Sequence, residues 1–202
     1  AGYIAKRMGL PIDRLIVATN QNDILHRCLS TGVYQTDTVI PSISPSMDIQ
    51  VSSNFERALF YAYDGDGAAI SRMMDGLKSE GGFEISQGIQ QKLSEDFGSG
   101  RVSEAETSAT IAAHCKSTGE ILCPHSAIGV NVAEALRDPH VPMVTLATAH
   151  PAKFPDAVEA ATSQRPELPE RMADLYSRSE RLTRVANDLA PLQQLIKERT
   201  LH

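Results

Sequence analysis

The short apolar run Leu15-Ile16-Val17-Ala18 constrains this chain more than any other feature. Polar and charged residues bound it, which suits a strand buried on both faces of a parallel sheet. Directly after it, Thr19-Asn20-Gln21-Asn22-Asp23 supplies residue types that cap helices. Ile24, Leu25, Cys28 and Leu29 then fall on one helical face and predict a helix that ends near Gly32. A strand feeding a helix at this spacing is the opening of a βα layer.

The same rhythm recurs downstream. Ile121-Leu122-Cys123 reads as a second strand, followed by a helix with Ile128, Val132, Ala135 and Leu136 on one face. Val141 to Ala147 reads as the last strand, ending at Thr148-Ala149-His150-Pro151. Between these units, Ser53 with Glu56 and Ser103 with Glu106 have the S-x-x-E form of a capping box and predict helices. Ile70, Met73, Met74 and Leu77 predict another over about 68–78. From Leu168 onward, Met172, Leu175, Leu182, Val185, Leu189 and Leu192 predict one or two helices bent or divided at Pro191. Ala1 to Met8 reads as a helix stopped by Gly9 and Pro11. No capping residue precedes it, which is the pattern of a chain missing an upstream part; removal of an initiator Met would give the same start.

The expected fold class is therefore α/β, a layered, mostly parallel sheet with flanking helices. In open sheets of this kind ligands sit beyond the carboxyl ends of the strands. That selects three loops, at residues 19–23, 124–129 and 148–154. Periodicity supplies this location and no chemistry.

Composition narrows the partners. At 202 residues, with 42% hydrophobic and 22% charged side chains, the chain can bury a sizeable core, as one large domain or one plus an incomplete second. A net charge of −6 leaves no basic footprint for nucleic acid or an anionic membrane. No apolar run approaches the ~18 residues a membrane helix needs. Cys28, Cys115 and Cys123 are far apart and odd in number, so neither a disulfide framework nor a zinc ribbon is expected, and a reducing cytoplasm is the natural setting. The histidines form no metal-ligand spacing with carboxylates.

Four blocks then carry a resemblance. Residues 16–25 (IVATNQNDIL) resemble the ATNxNDIL segment of threonine synthases, and residues 44–57 (SPSMDIQVSSNFER) resemble that family's SPSMDIxVSSNFER block. Residues 123–129 (CPHSAIG) are similar to its DPHTAVG motif, with Cys123 and Ser126 in place of Asp and Thr, so neither side chain is assigned a necessary role. Residues 148–154 match its TAHPAKF.

The resemblance implies a tryptophan-synthase-β-like, fold-type-II architecture that is incomplete at the N-terminus. Residues 1–165 would be the C-terminal part of a domain binding pyridoxal 5'-phosphate (PLP), with an inserted helical region near 53–118, and 166–202 a C-terminal helical segment. It implies conversion of O-phospho-L-homoserine and water to L-threonine and phosphate. The family's Schiff-base lysine lies in its N-terminal half, and no segment here resembles the surroundings of that residue. The missing N-terminal half is thus an implied partner, no catalytic lysine is assigned here, and the chain alone would be inactive. The family's phosphate-cradling GNFGD loop would come just before Ala1.

Thr148 is the implied cofactor residue, its hydroxyl meeting the pyridine nitrogen. A neutral hydroxyl can donate to an unprotonated ring nitrogen, whereas a carboxylate would keep that nitrogen protonated. A Thr there can also simply cap the turn after a strand. His150 offers a proton shuttle or phosphate contact, or merely orders its loop; His125 stands in the same position before a helix. Asn20 and Asp23 lie at a strand's carboxyl end, where N-capping is the alternative role. Lys153 can attract a substrate phosphate or remain solvated. Two alternatives to this activity stay open: a non-catalytic α/β binding or scaffold protein derived from the fold, and another fold-type-II lyase.

Overall fold

The run Leu15–Thr19 does become a strand, and its neighbour is one that the sequence pattern conceals: Phe97–Arg101, in parallel register from Leu15 opposite Phe97 to Thr19 opposite Arg101. The computed structural model describes residues 2–200 and divides into two compact units, Ala1–Glu167 and Leu168–His202. The first unit carries α1 (Gly2–Arg7), β1 (Leu15–Thr19), α2 (Ile24–Thr31), β2 (Val33–Gln35), α3 (Phe55–Ala62), α4 (Gly67–Glu80), β3 (Gly82–Glu84), α5 (Gln87–Asp96), β4 (Phe97–Arg101), α6 (Glu104–Thr118), α7 (Pro124–Leu136) and α8 (Pro155–Thr162). The second carries two short 3-10 turns and α9 (Leu189–Thr200).

Two apolar cores hold the first unit. The larger gathers Ile24 and Cys28 of α2, Leu59 of α3, Ile70 and Met73 of α4 and Leu93 of α5 around Tyr34. Tyr34 of β2 stacks on its cross-strand partner Phe83 of β3 at 4.7 Å and on Phe55 of α3 at 5.8 Å, which ties the antiparallel β2–β3 pair to α3. Its hydroxyl accepts from the Ser52 amide at 2.8 Å, which keeps this buried phenol satisfied. The smaller core joins Ile128 and Val132 of α7 to Val102 and to Ile16 and Ala18 of β1. Each fully buried aliphatic of this kind stabilises by about 1.5–3 kcal/mol.

Several expectations need correction. The segments 121–123 and 141–147 are not strands, so the predicted three strand–helix units reduce to one parallel pair. A strand exists only as part of a ladder, and among the described residues neither segment is hydrogen-bonded into one. Val144 and Leu146 consequently stand 78% and 74% exposed.

At Ser53 the predicted capping box does not form: α3 starts at Phe55 with Asn54 at the N-cap position and no side-chain cap bond. The Ser103–Glu106 box does form. Pro191 sits in the first turn of α9, where its missing N–H costs nothing, and does not divide a helix. On α7 the buried face is Ala127, Ile128, Val132 and Ala133, while Ala135 and Leu136 are exposed. Ala1, where the first predicted helix begins, lies outside the described residues.

Candidate functional site

The carboxyl end of β1 runs into a buried polar knot. Thr19 Oγ1 donates to the Gly100 carbonyl at 3.1 Å, and the Val102 amide donates to Thr19 O at 2.9 Å, which extends the parallel ladder by one bond. Asn20, 3% exposed, then directs Nδ2 at Ser42 Oγ (2.9 Å), Ser44 Oγ (2.9 Å) and Asp48 Oδ1 (2.8 Å). The amide has two protons for these three acceptors, so one proton is shared. Asn22 adds bonds to the Ile40 carbonyl and to Asp48 Oδ1, both at 2.9 Å. Asp48 Oδ2 accepts from the Ser42 amide at 2.8 Å. The loop from Ile40 to Asp48 is thereby sewn onto the end of the strand. Each of these groups would cost about 1–3 kcal/mol if buried without its partner.

That loop leads to the start of α7. The Ser46 amide donates to His125 Nε2 at 3.2 Å, which fixes the proton of the neutral ring on Nδ1. His125 is 8% exposed and lies 4.6 Å from the Phe154 ring. Burial, then the positive charge of Lys153, hold its pKa below the usual histidine value, with Asp48 opposing. At the pH of a cell it is a neutral, positioned ring.

One residue on, the first turn of α7 meets the loop that carries Thr148. Cys123 is the N-cap, its sulfur accepting from the Ser126 amide at 3.4 Å. Ser126 Oγ accepts from the Thr148 amide at 3.1 Å and lies 3.3 Å from Thr148 Oγ1 and 3.2 Å from Cys123 Sγ. The loop can come this close because residue 129 is glycine: a β-carbon there would sit 3.0 Å from Thr145 Cγ2. Thr148 itself is exposed, with its hydroxyl held against the buried Ser126.

The structure links Asn20 through the 42–48 loop to His125, and joins Thr148 to the same helix through Ser126. It does not bring the remaining predicted residues into this network. Asp23 pairs with Arg27 at 2.9 Å and Arg101 at 3.6 Å, and it makes no side-chain cap bond. His150 accepts the Ala152 amide at 3.2 Å and so caps the short turn Pro151–Lys153, while Lys153 is exposed. Sequence reasoning missed Ser42, Ser44 and Asp48 as a cluster. Its signal was present: polar side chains concentrated in one loop opposite an Asn at a strand end.

Two surface depressions, about 330 and 510 Å³, are lined by none of these residues. Among the described residues there is no cluster of three or more His, Cys, Asp or Glu able to hold a metal, and no helix is long and apolar enough to cross a membrane.

Known proteins match this chain in sequence and in fold. A family profile described as threonine synthase, C-terminal, matches residues 126–196. The threonine synthase of Pseudomonas aeruginosa is 50% identical over 98% of the chain, which covers 43% of that protein. A crystal structure of PLP-bound threonine synthase from Brucella melitensis superposes with a TM-score of 0.90 at 50% identity, over 98% of this chain and 42% of that one. The yeast threonine synthase structure superposes with a TM-score of 0.86 at 39% identity, over 98% and 44%. The chain thus spans less than half the length of these relatives. Fold and site together define a partial α/β domain with its polar face at the end of β1 and the start of α7. The chain belongs to the threonine synthase family, and it corresponds to the C-terminal portion of its members.

Proposed function

We propose that this chain is the C-terminal portion of a cytoplasmic, PLP-dependent threonine synthase. The whole protein would convert O-phospho-L-homoserine and water to L-threonine and phosphate: phosphate leaves Cγ and the hydroxyl of water ends on Cβ. The observation that carries this reading is Thr148, an exposed residue whose hydroxyl lies 3.3 Å from Ser126 Oγ and 3.9 Å from Cys123 Sγ, with no carboxylate among these partners. A neutral donor suits a pyridine nitrogen that carries no proton, and the residues present therefore fit the cofactor. When bound, PLP supplies an electron sink for charge developing on the substrate carbons.

The chain's own residues do the rest by position. Thr148 donates to the ring nitrogen. Asn20 and Asp48 hold the 42–48 loop at the mouth of the site, and His125, neutral, pins that loop through Ser46. His150 orders the turn that follows Thr148, and Lys153 beside it adds positive charge near His125. Among these, Lys153 is the residue suited to draw the substrate phosphate inward, as a point charge. Asp23 is tied up in ion pairs and serves the scaffold.

The residues from Val141 to Leu146 fit the same reading. Val141, Met143, Val144 and Leu146 are exposed on the approach to Thr148, an apolar run that water should not face. We infer that the part of the protein which relatives have and these 202 residues lack covers this run and supplies the lysine that anchors the cofactor. The three unpaired cysteines suit a reducing compartment.

The test is an assay of the full-length protein carrying this sequence. Release of threonine and phosphate from O-phospho-L-homoserine, with PLP added, is the expected result. Deamination of serine or homoserine without threonine formation would overturn the assignment. The 202 residues alone, mixed with PLP and reduced with borohydride, are expected to retain no stoichiometric label on a specific lysine.

A further inference from the structure

We propose that Ser126 is a positioning residue that sets the direction of the Thr148 hydrogen bond, an inference that rests on Thr148 meeting the cofactor's ring nitrogen. The geometry leaves little freedom. Ser126 is 3% exposed, in the first turn of α7, and its Oγ already accepts the Thr148 amide at 3.1 Å. Its single proton has two destinations: Thr148 Oγ1 at 3.3 Å or Cys123 Sγ at 3.2 Å. Thiol sulfur is a weak acceptor, and Cys123 Sγ already takes the Ser126 amide. The proton therefore goes to Thr148 Oγ1.

That choice matters because a hydroxyl has one proton to give. If Thr148 spent its own on Ser126, it would present only lone pairs outward and could not donate to a ring nitrogen. With Ser126 donating, the Thr148 proton has only the weakly accepting Cys123 Sγ, 3.9 Å away, within the protein and is available to an outward acceptor. Two hydroxyls bonded in series also polarise one another, which strengthens the outer donor. Burial of Ser126 keeps water from competing for the arrangement. The residue would touch no cofactor atom and would act only through Thr148.

The experiment is a double-mutant cycle on the full-length enzyme carrying this sequence, with the affinity of the apoenzyme for PLP read by fluorescence. Ser126→Ala should weaken PLP binding about fivefold, the usual effect of one neutral hydrogen bond. In a Thr148→Val background the same substitution should change affinity less than about twofold, because coupled residues are not additive. Ser126→Thr, which keeps the hydroxyl, should restore binding to near the parent value. Equal losses from Ser126→Ala in both backgrounds would overturn the proposal, because Ser126 would then not act through Thr148. So would no loss in the parent, or a loss that Ser126→Thr fails to restore while the thermal unfolding midpoint stays unchanged. If Thr148→Val itself leaves PLP affinity unchanged, the ring-nitrogen reading fails first and takes this one with it.

Discussion

Val132 on α7 rests against the bare backbone of Gly100 on β4: a β-carbon at Gly100 would lie 2.6 Å from Val132 Cγ1. The helix that carries His125 and Ser126 is thus seated directly on the strand. Gly100→Ala should lower stability by about 1–3 kcal/mol, the usual cost of overpacking a core. Thermal unfolding should shift down by several degrees, with about 2–4 °C per kcal/mol for a chain of this size. Adding Val132→Ala should recover part of that loss. An unchanged midpoint for Gly100→Ala would mean that α7 does not pack there.

The Asn20 knot makes a second prediction. Asn20→Ala would remove the donor that Ser42, Ser44 and Asp48 share and would leave the buried Asn22 amide without its acceptor, Asn20 Oδ1. Stability should fall by about 1–3 kcal/mol, the usual cost of one stranded buried group. Denaturant unfolding measures it, and a loss below about 0.5 kcal/mol, typical of a surface site, would contradict the knot.

His125 gives a pH dependence. Its folded pKa is lowered, chiefly by burial and next by Lys153, so below the ordinary value the unfolded chain takes up the proton first. The contribution of the neutral ring is therefore complete above about pH 6.5 and is lost as the pH falls through that value toward the lower folded pKa. NMR titration of the ring should show its midpoint below about 6.5, and Lys153→Met should raise it. A midpoint at or above the free value would refute the burial.

Cys28 tests the larger core. Burial pushes its thiol up to about 12, with the charge of Arg27 opposing. Since only the thiolate reacts, Cys28 should resist alkylation at pH 8 in the folded protein and be labelled once it unfolds. The partly exposed Cys115 should react in the native state. Mass mapping after brief iodoacetamide treatment distinguishes them, and equal labelling would contradict the core packing.

Much of the layer was legible because it depends on local pattern. The apolar run at 15–19, the helical faces at 24–31 and 67–80, and the Ser103 box each carry their information within a few residues. What was hidden depends on neighbours. Phe97–Arg101 gave no strand signal, because Gly98 and Gly100 interrupt its apolar pattern at the points where Ile16 and Val132 close over the strand. Residues 141–147 read as a strand because they are apolar, but without a ladder partner among the described residues apolarity does not make one. Within the candidate site, Thr148, His125 and Asn20 were expected from the matched motifs and their place in the three selected loops. The support from Ser126, Cys123 and Asp48 was not, because such hydrogen bonds join residues 22 to 28 positions apart.

The central claim is that the Thr148 hydroxyl donates to the ring nitrogen of bound PLP. A crystal structure of the full-length enzyme with PLP tests it most directly. Thr148 Oγ1 should lie within about 2.6–3.2 Å of that nitrogen, with Ser126 behind it. A carboxylate at the nitrogen, or a Thr148 side chain turned away from the cofactor, would contradict it.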